Sequence, residues 1–226
     1  MQLFSLMLYG AIVMAPTQPD DDALLVLEET RIALAGGRDV TPDRVEIEAI
    51  YQYADDDQEI RDRTVMEPGR LLFQEREIAG ETIRRSWTSQ DAFIESPNGR
   101  IPLDDTMRAE LETYFCLRQL ELLMLCPGAV AEGVDESAEH LRVIRVRRQG
   151  EPLADVEIDV DARRLVAIRY ADSPDSDDPA ASTEVRYSGY QTVAGGWTLP
   201  HRVQTLVDGK TRSSYSVQRW QLDLDA

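Results

Sequence analysis

The chain has 226 residues, 24 of them basic and 42 acidic, for a formal net charge of −18. That balance excludes a nucleic-acid binder, which needs a basic stripe to neutralise phosphates. It also excludes docking on anionic lipid heads by simple charge attraction. The length suits one domain with small appendages, and 42% apolar residues supply a core of ordinary size. One lysine, Lys210, stands against 23 arginines, which fits a biased genome composition or a salt-adapted host.

Leu3 to Ala15 is a run of thirteen residues without charge. A bilayer-spanning helix takes about 20 residues, so the run is too short for a stable membrane span. It has the size of the apolar region of a secretory signal, with small residues before a cut near Ala15. No basic residue precedes it, and Pro16 follows directly. Residues 1–19 are therefore read as a signal peptide or a disordered N-terminus, and 20–226 as one domain in an exported, periplasmic setting.

Asp20 to Ala35 has helical spacing, with aspartates at its start and Gly36-Gly37 at its end. Arg44 to Ala54 then alternates, with Val45, Ile47, Ala49, Tyr51 and Tyr53 on one face. Four more strands are expected at 58–66, 70–78, 81–88 and 91–95, split by short polar or glycine-containing turns. Pro97-Asn98-Gly99 closes this series. Leu103 to Cys126 reads as one helix, apolar nearly all round in its last turns and hence buried on several sides. Six further strands are expected at 141–149, 153–160, 165–171, 183–192, 197–206 and 210–222. Asp208-Gly209 is the clearest hairpin turn. Asp172 to Ser182 is charged, rich in proline and without large apolar residues, as a mobile loop would be.

Short links between successive strands specify an antiparallel meander. The fold class expected is mainly β with helices (α+β). About eleven antiparallel strands would form a curved, unclosed half-barrel, because a flat sheet that wide does not stay open. The helices would cover its concave face.

Cys116 and Cys126 are the two cysteines, ten residues apart in the expected helix. Ten helical residues rise about 15 Å, while a disulfide needs Cα atoms within about 7 Å. The two can pair only if the helix breaks before Cys126. A continuous helix leaves them as two small buried apolar side chains.

Several segments together resemble the bacterial lipoprotein-carrier fold (LolA/LolB-like). They are the first helix with Ala35-Gly36-Gly37 and an alternating strand, the pairing of Ile158–Asp161 with Leu165–Tyr170, and Tyr187–Tyr190 followed by Gly196–Val203. The resemblance covers roughly residues 20 to 222 and is strongest after residue 150. It implies an eleven-stranded unclosed barrel capped by helices, no catalytic residues, and carriage of acyl chains; other members are sensors. The strong acidity and the 172–182 insertion are departures from it.

A carrier needs an apolar concavity and a cover that moves, since each CH₂ removed from water contributes about 0.8 kcal/mol. The residues expected to line the cavity are Val45, Ile47, Tyr51, Leu72, Phe73, Trp87, Phe93, Leu111, Phe115, Val143, Val156, Ile158, Trp197 and Val203. No His, Asp or Glu spacing matches a metal site, and no cofactor motif occurs. Ser188, His201 and Asp208 could be drawn as a triad, but any β protein of this size offers such a trio. Glu46 and Glu48 read as a solvated strand face. Arg142, Arg145, Arg147 and Arg148 read as a basic strand paired within the molecule, or else as a contact for an anionic headgroup or an acidic partner. The expectation is a monomeric, non-enzymatic binder of lipid or lipoprotein acyl chains. The alternative is an envelope interaction or sensor module, with another envelope protein as its partner.

Overall fold

The structure, a computed structural model, describes residues 20–171 and 182–224. The signal-like segment and all of the 172–182 loop but Ser182 lie outside the described residues. Two helices and one large antiparallel sheet account for most of the chain. The first helix, α1 (Asp21–Leu34), is capped by Asp20, whose carboxylate accepts from the backbone N–H of Asp22 at 3.0 Å. At its other end the N–H of Gly37 returns to the carbonyl of Ile32, and that of Gly36 to Ala33. This pattern needs a left-handed residue, which Gly36 supplies at φ 70°. A Cβ at Gly36 would also stand 2.8 Å from the Gly196 carbonyl oxygen, so the position has no room for a side chain.

Six strands follow in a meander: β1 (Arg44–Tyr53), β2 (Asp56–Glu67), β3 (Leu71–Ile78), β4 (Glu81–Thr88), β5 (Ala92–Ser96) and β6 (Gly99–Pro102). The second helix, α2 (Asp105–Leu120), is capped by Asp104, which accepts from Met107 N–H at 2.8 Å. The second run comprises β7 (Ala129–Ala138), β8 (Leu141–Arg148), β9 (Glu151–Asp159), β10 (Arg164–Ala171) and β11 (Ser182–Ser188). A small separate hairpin, β12 (Gln191–Thr192) with β13 (Thr198–Leu199), precedes β14 (Arg202–Val207) and β15 (Lys210–Asp223).

The main sheet has thirteen strands in the order β6-β5-β4-β3-β2-β1-β15-β14-β11-β10-β9-β8-β7. The first run steps outward from β1 to one edge. The second begins at the other edge and steps inward until β15 pairs with β1. Chain order therefore places α2 between the two edge strands. It touches β4 on one arm and β9 on the other. Those strands lie eight positions apart, about 38 Å in a flat sheet, whereas a helix of 16 residues is only about 24 Å long. The sheet must curl around the helix. No pairing joins β6 to β7 among the described residues, so the barrel stays open.

Two corrections follow. The sheet has thirteen strands rather than eleven, and the two not expected are its edges, β6 and β7. The central helix ends at Leu120 and not at Cys126. Beyond it the N–H of Met124 bonds back to Gln119 and that of Leu123 to Leu120, with Leu123 at φ 55°. This reversal carries Cys126 back beside Cys116, with Cα atoms 5.2 Å apart, and the two form a disulfide. The continuous-helix reading, which left both thiols free, is thereby overturned.

The bridge closes a ten-residue loop, for which chain entropy gives about 2–3 kcal/mol. The Cys116→Ala/Cys126→Ala double variant should lose about that much in urea denaturation. Unchanged stability would mean that the bridge restrains nothing.

Candidate functional site

Alternation along each strand assigns the two faces of the sheet. On β1, Val45, Ile47, Ala49 and Tyr51 are buried inward. Register extends that face to Leu72 and Trp87 on the first arm, and to Ile144, Val156, Ile158 and Val203 on the second. From α2 come Leu111, Phe115, Leu117 and Leu120. Phe115 packs against Trp87, ring centroids 5.0 Å apart. Trp197, fully buried between the small hairpin strands, joins the same cluster.

Eleven of the fourteen expected cavity residues therefore meet in one apolar cluster: Val45, Ile47, Tyr51, Leu72, Trp87, Leu111, Phe115, Val156, Ile158, Trp197 and Val203. Phe73, Phe93 and Val143 do not. Phe73 and Phe93 both pair with Ser86, next to the inward Trp87, and so face outward, where the Arg100 guanidinium lies over the Phe93 ring at 3.5 Å. Val143 is out of phase with its buried neighbour Ile144 and pairs with Glu157 on the outer face.

The outer face is a ladder of ion pairs. Arg63 reaches Glu46 at 2.8 Å, Arg219 reaches Glu48 at 2.6 Å, and Arg84 reaches Glu75 at 2.7 Å. Glu46 also meets Arg44 and Arg219, and the hydrogen bond from Arg63 holds its carboxyl below the usual range. Of the basic strand, Arg145 and Arg147 pair with Asp135 and Glu132 of β7, while Arg148, past a register shift, turns to Glu112 of α2.

The inner face also carries a polar network that was not expected. Asp62 accepts from Arg76 at 2.7 Å, from Gln74 at 2.8 Å and from Thr64 at 2.9 Å. Gln74 reaches on to the hydroxyl of Tyr114 on α2 at 3.4 Å. On the other arm, Arg118 of α2 donates to Glu121 at 2.6 Å and to the Tyr215 hydroxyl at 2.9 Å. Tyr187 donates to Glu121 as well. Burial pushes the Glu121 carboxyl up, against the pull of Arg118. Burial likewise raises Tyr51, Tyr187 and Tyr215, which keeps their hydroxyls protonated.

The cover helix is thus clamped to both arms by polar groups as well as by apolar packing. Around the clamps lies a hollow of about 160 Å³ lined by six tyrosines (51, 53, 114, 170, 187 and 215) together with Arg76, Arg118 and Glu121. Tyr51 and Tyr215 stack there at 4.3 Å. Small-molecule sites run to roughly 300–1,000 Å³, so this hollow is a residue of closure rather than an open cavity.

A second hollow, of about 350 Å³, opens where the two arms face each other across α2, lined by Gly69 and Trp87 of one arm, Pro127 and Arg148 of the other, and α2 between. Neither His140, which is exposed, nor His201, whose ring nitrogen meets the Leu199 carbonyl at 3.2 Å, lines these hollows. Among the described residues, no group of three or more His, Cys, Asp or Glu is placed to hold a metal. No helix among them is long and apolar enough to cross a membrane.

This architecture is the LolA-like fold. A LolA superfamily protein from Nitrosomonas europaea matches at 11% identity over 93% of this chain and 96% of its own, with a TM-score of 0.58. A DUF1329 family protein from Desulfovibrio piger matches at 10% identity over 92% and 94%, with a TM-score of 0.57. A domain described as an outer membrane lipoprotein-sorting protein, from Vibrio parahaemolyticus, matches at 10% identity over 88% and 91%, with a TM-score of 0.54. No protein-family model matches the sequence, and neither does any curated protein.

The clamp on the second arm is open to test. Arg118→Met leaves Glu121 buried without its counter-charge, a change that costs about 3–5 kcal/mol. Loss of Arg118 raises the folded-state pKa of Glu121 further above its unfolded value. The contribution of Glu121 is then present at low pH and lost as pH rises through that folded pKa. Urea denaturation should show a larger deficit at pH 8 than at pH 5. Arg118→Met combined with Glu121→Leu should recover most of the loss; a double variant as unstable as the single one would refute the pairing.

Proposed function

We propose that the chain is a non-enzymatic, cofactor-free binder or carrier of a lipid or lipoprotein acyl group, working as a monomer in the periplasm or an equivalent exported space. Residues 20–226 would form the working domain and 1–19 its export signal. The observation that carries this reading is the apolar cluster enclosed between the curled sheet and α2. The helix lies between the two arms of a barrel whose edges are unpaired among the described residues. A chain could therefore be admitted by lifting one helix, without breaking a strand ladder. Each CH₂ that took the place of cluster contacts would be worth about 0.8 kcal/mol against water. The solved structures of the same fold include one described by lipoprotein sorting, and the Cys116–Cys126 bridge fits an oxidising compartment.

One observation favours a second reading, an envelope interaction or sensor module that transports nothing. The concavity is packed by the protein's own side chains, and its clamps are polar.

Fluorescent fatty-acid displacement and native mass spectrometry on the full chain separate the two readings. Under the first, Leu111→Asp or Phe115→Asp should weaken binding at least tenfold, about 1.4 kcal/mol, while Glu46→Ala on the outer face changes it little. Equal effects among variants that keep their circular dichroism would contradict a site beneath α2. Absence of any lipid adduct or displacement would favour the second reading.

A further inference from the structure

Arg85 is a cation without a counterpart. It lies on the inner face of β4, opposite Gln74 of β3 and Ile94 of β5. It is half-buried, yet among the described residues its guanidinium makes no hydrogen bond or ion pair. Arg76, Arg84, Arg147 and Arg169, half-buried on the same sheet, each reach a carboxylate. The carboxylates nearest to Arg85 in register, Glu75 and Glu95, stand on the outer face and hold Arg84. In a chain of net charge −18, an inward arginine left unmatched is an exception. A charge drawn partly out of water with no counter-charge costs stability, so the position calls for an anion from outside.

The floor around Arg85 is apolar. Directly paired strand residues share a face, so Gln74, Arg85, Ile94 and Ile101 form one row across the inner side of the first arm. Exposure rises along it. Gln74 is 1% exposed and meets Tyr114 of α2, Ile94 is half-buried, and Ile101 on the edge strand is 65% exposed. Ile83 follows Arg85 along the same face of β4. Met107, in the first turn of α2, is 50% exposed. Ile101 and Met107 are two of the three large apolar side chains exposed among the described residues. From Arg85 to Ile101 the row crosses two strand spacings, about 10 Å. An apolar shelf with one free cation at its inner end thus begins where the cover of α2 stops.

We propose that this shelf binds the anionic end of a single-chain amphiphile, a carboxylate on Arg85 with its apolar chain along Ile94 and Ile101. A guanidinium can hold both oxygens of a carboxylate at once. A single unmatched cation suits a monoanion better than a phosphate dianion. The proposal rests on the acyl-binding reading for the class of ligand and adds the head group and its place, beside α2 rather than beneath it.

The probes are octanoate, octan-1-ol and octyl phosphate, titrated calorimetrically into the full chain at neutral pH. Octanoate should bind one per chain, at least about tenfold tighter than octan-1-ol, as a hydrogen-bonded charge requires. Arg85→Gln should bring the two to near parity, and Arg85→Lys should keep part of the preference. Both variants should melt close to the unaltered protein, because no bond within it is lost. Ile101→Ser, at an exposed position, should weaken octanoate and octan-1-ol alike, by about threefold. Equal binding of these two probes by the unaltered protein would overturn the proposal. So would absence of octanoate binding, a preference that survives Arg85→Gln, or tighter binding of octyl phosphate. A dimer in sedimentation velocity that Arg85→Gln dissolves would also overturn it, by giving the shelf to a second copy of the chain. Palmitate displacement separates the two readings. Palmitate binding that Leu111→Asp abolishes, without an octanoate preference, sinks the shelf and spares the acyl reading. An octanoate preference held by Arg85, without palmitate binding, does the reverse.

Discussion

A meander of thirteen strands has two edges, and a single helix has to connect them. That constraint shapes the rest of the molecule. Because β6 and β7 stand at opposite ends of the strand order while α2 lies between them in the chain, the sheet must curl until one short helix can reach both arms. Curling creates the concave face, and the helix fills it. The edges themselves are poor templates for further pairing. β6 is four exposed residues ending in a proline, and β7 is interrupted twice by register shifts around Gly133 and Ser137. Short, bulged or proline-bearing edges resist edge-to-edge association.

The division of charge follows from the same curl. Opposed carboxylates and guanidinium groups form ladders across neighbouring strands of the outer face, where each pair is screened and contributes little alone. The charges inside are of another kind. Asp62 with Arg76, and Arg118 with Glu121, are held by hydrogen bonds on several sides. They fix where α2 sits, since directional bonds distinguish one docking from its neighbours where greasy contact alone would not.

Much of the sheet was legible because a half-buried strand announces itself by period two. β1, β3, β4, β8 and β15 stand within a residue or so of where alternation places them. The edges escaped because Gly99–Pro102 is too short to show a period, and Ala129–Ala138 carries glycine and acidic residues where alternation was sought. The helix was drawn too long because an apolar run such as Leu120–Cys126 reads alike whether it continues a helix or turns back through a buried reversal. Among the cavity residues, naming both Leu72 and Phe73 asked two consecutive strand residues to face the same way, which the pleat forbids. The same rule held a missed signal. With Leu72 inward, Gln74 and Arg76 are inward too, and two polar residues in phase with a core position mark the interior network.

That network bears on how firmly α2 is held. If apolar packing alone held α2, lifting it would expose grease to water with nothing to define the closed position. Here the helix is tied at Tyr114 to one arm and at Arg118 and Glu121 to the other. Breaking either tie leaves a buried polar group needing water or a new partner, so displacing the helix costs more than exposing apolar surface alone. The disulfide adds a fixed base, because it joins α2 to the turn that follows and makes the helix and that turn one piece. Under the carrier reading proposed above, α2 and that turn would move together, and the polar groups released from the ties would need water or a guest with a polar end.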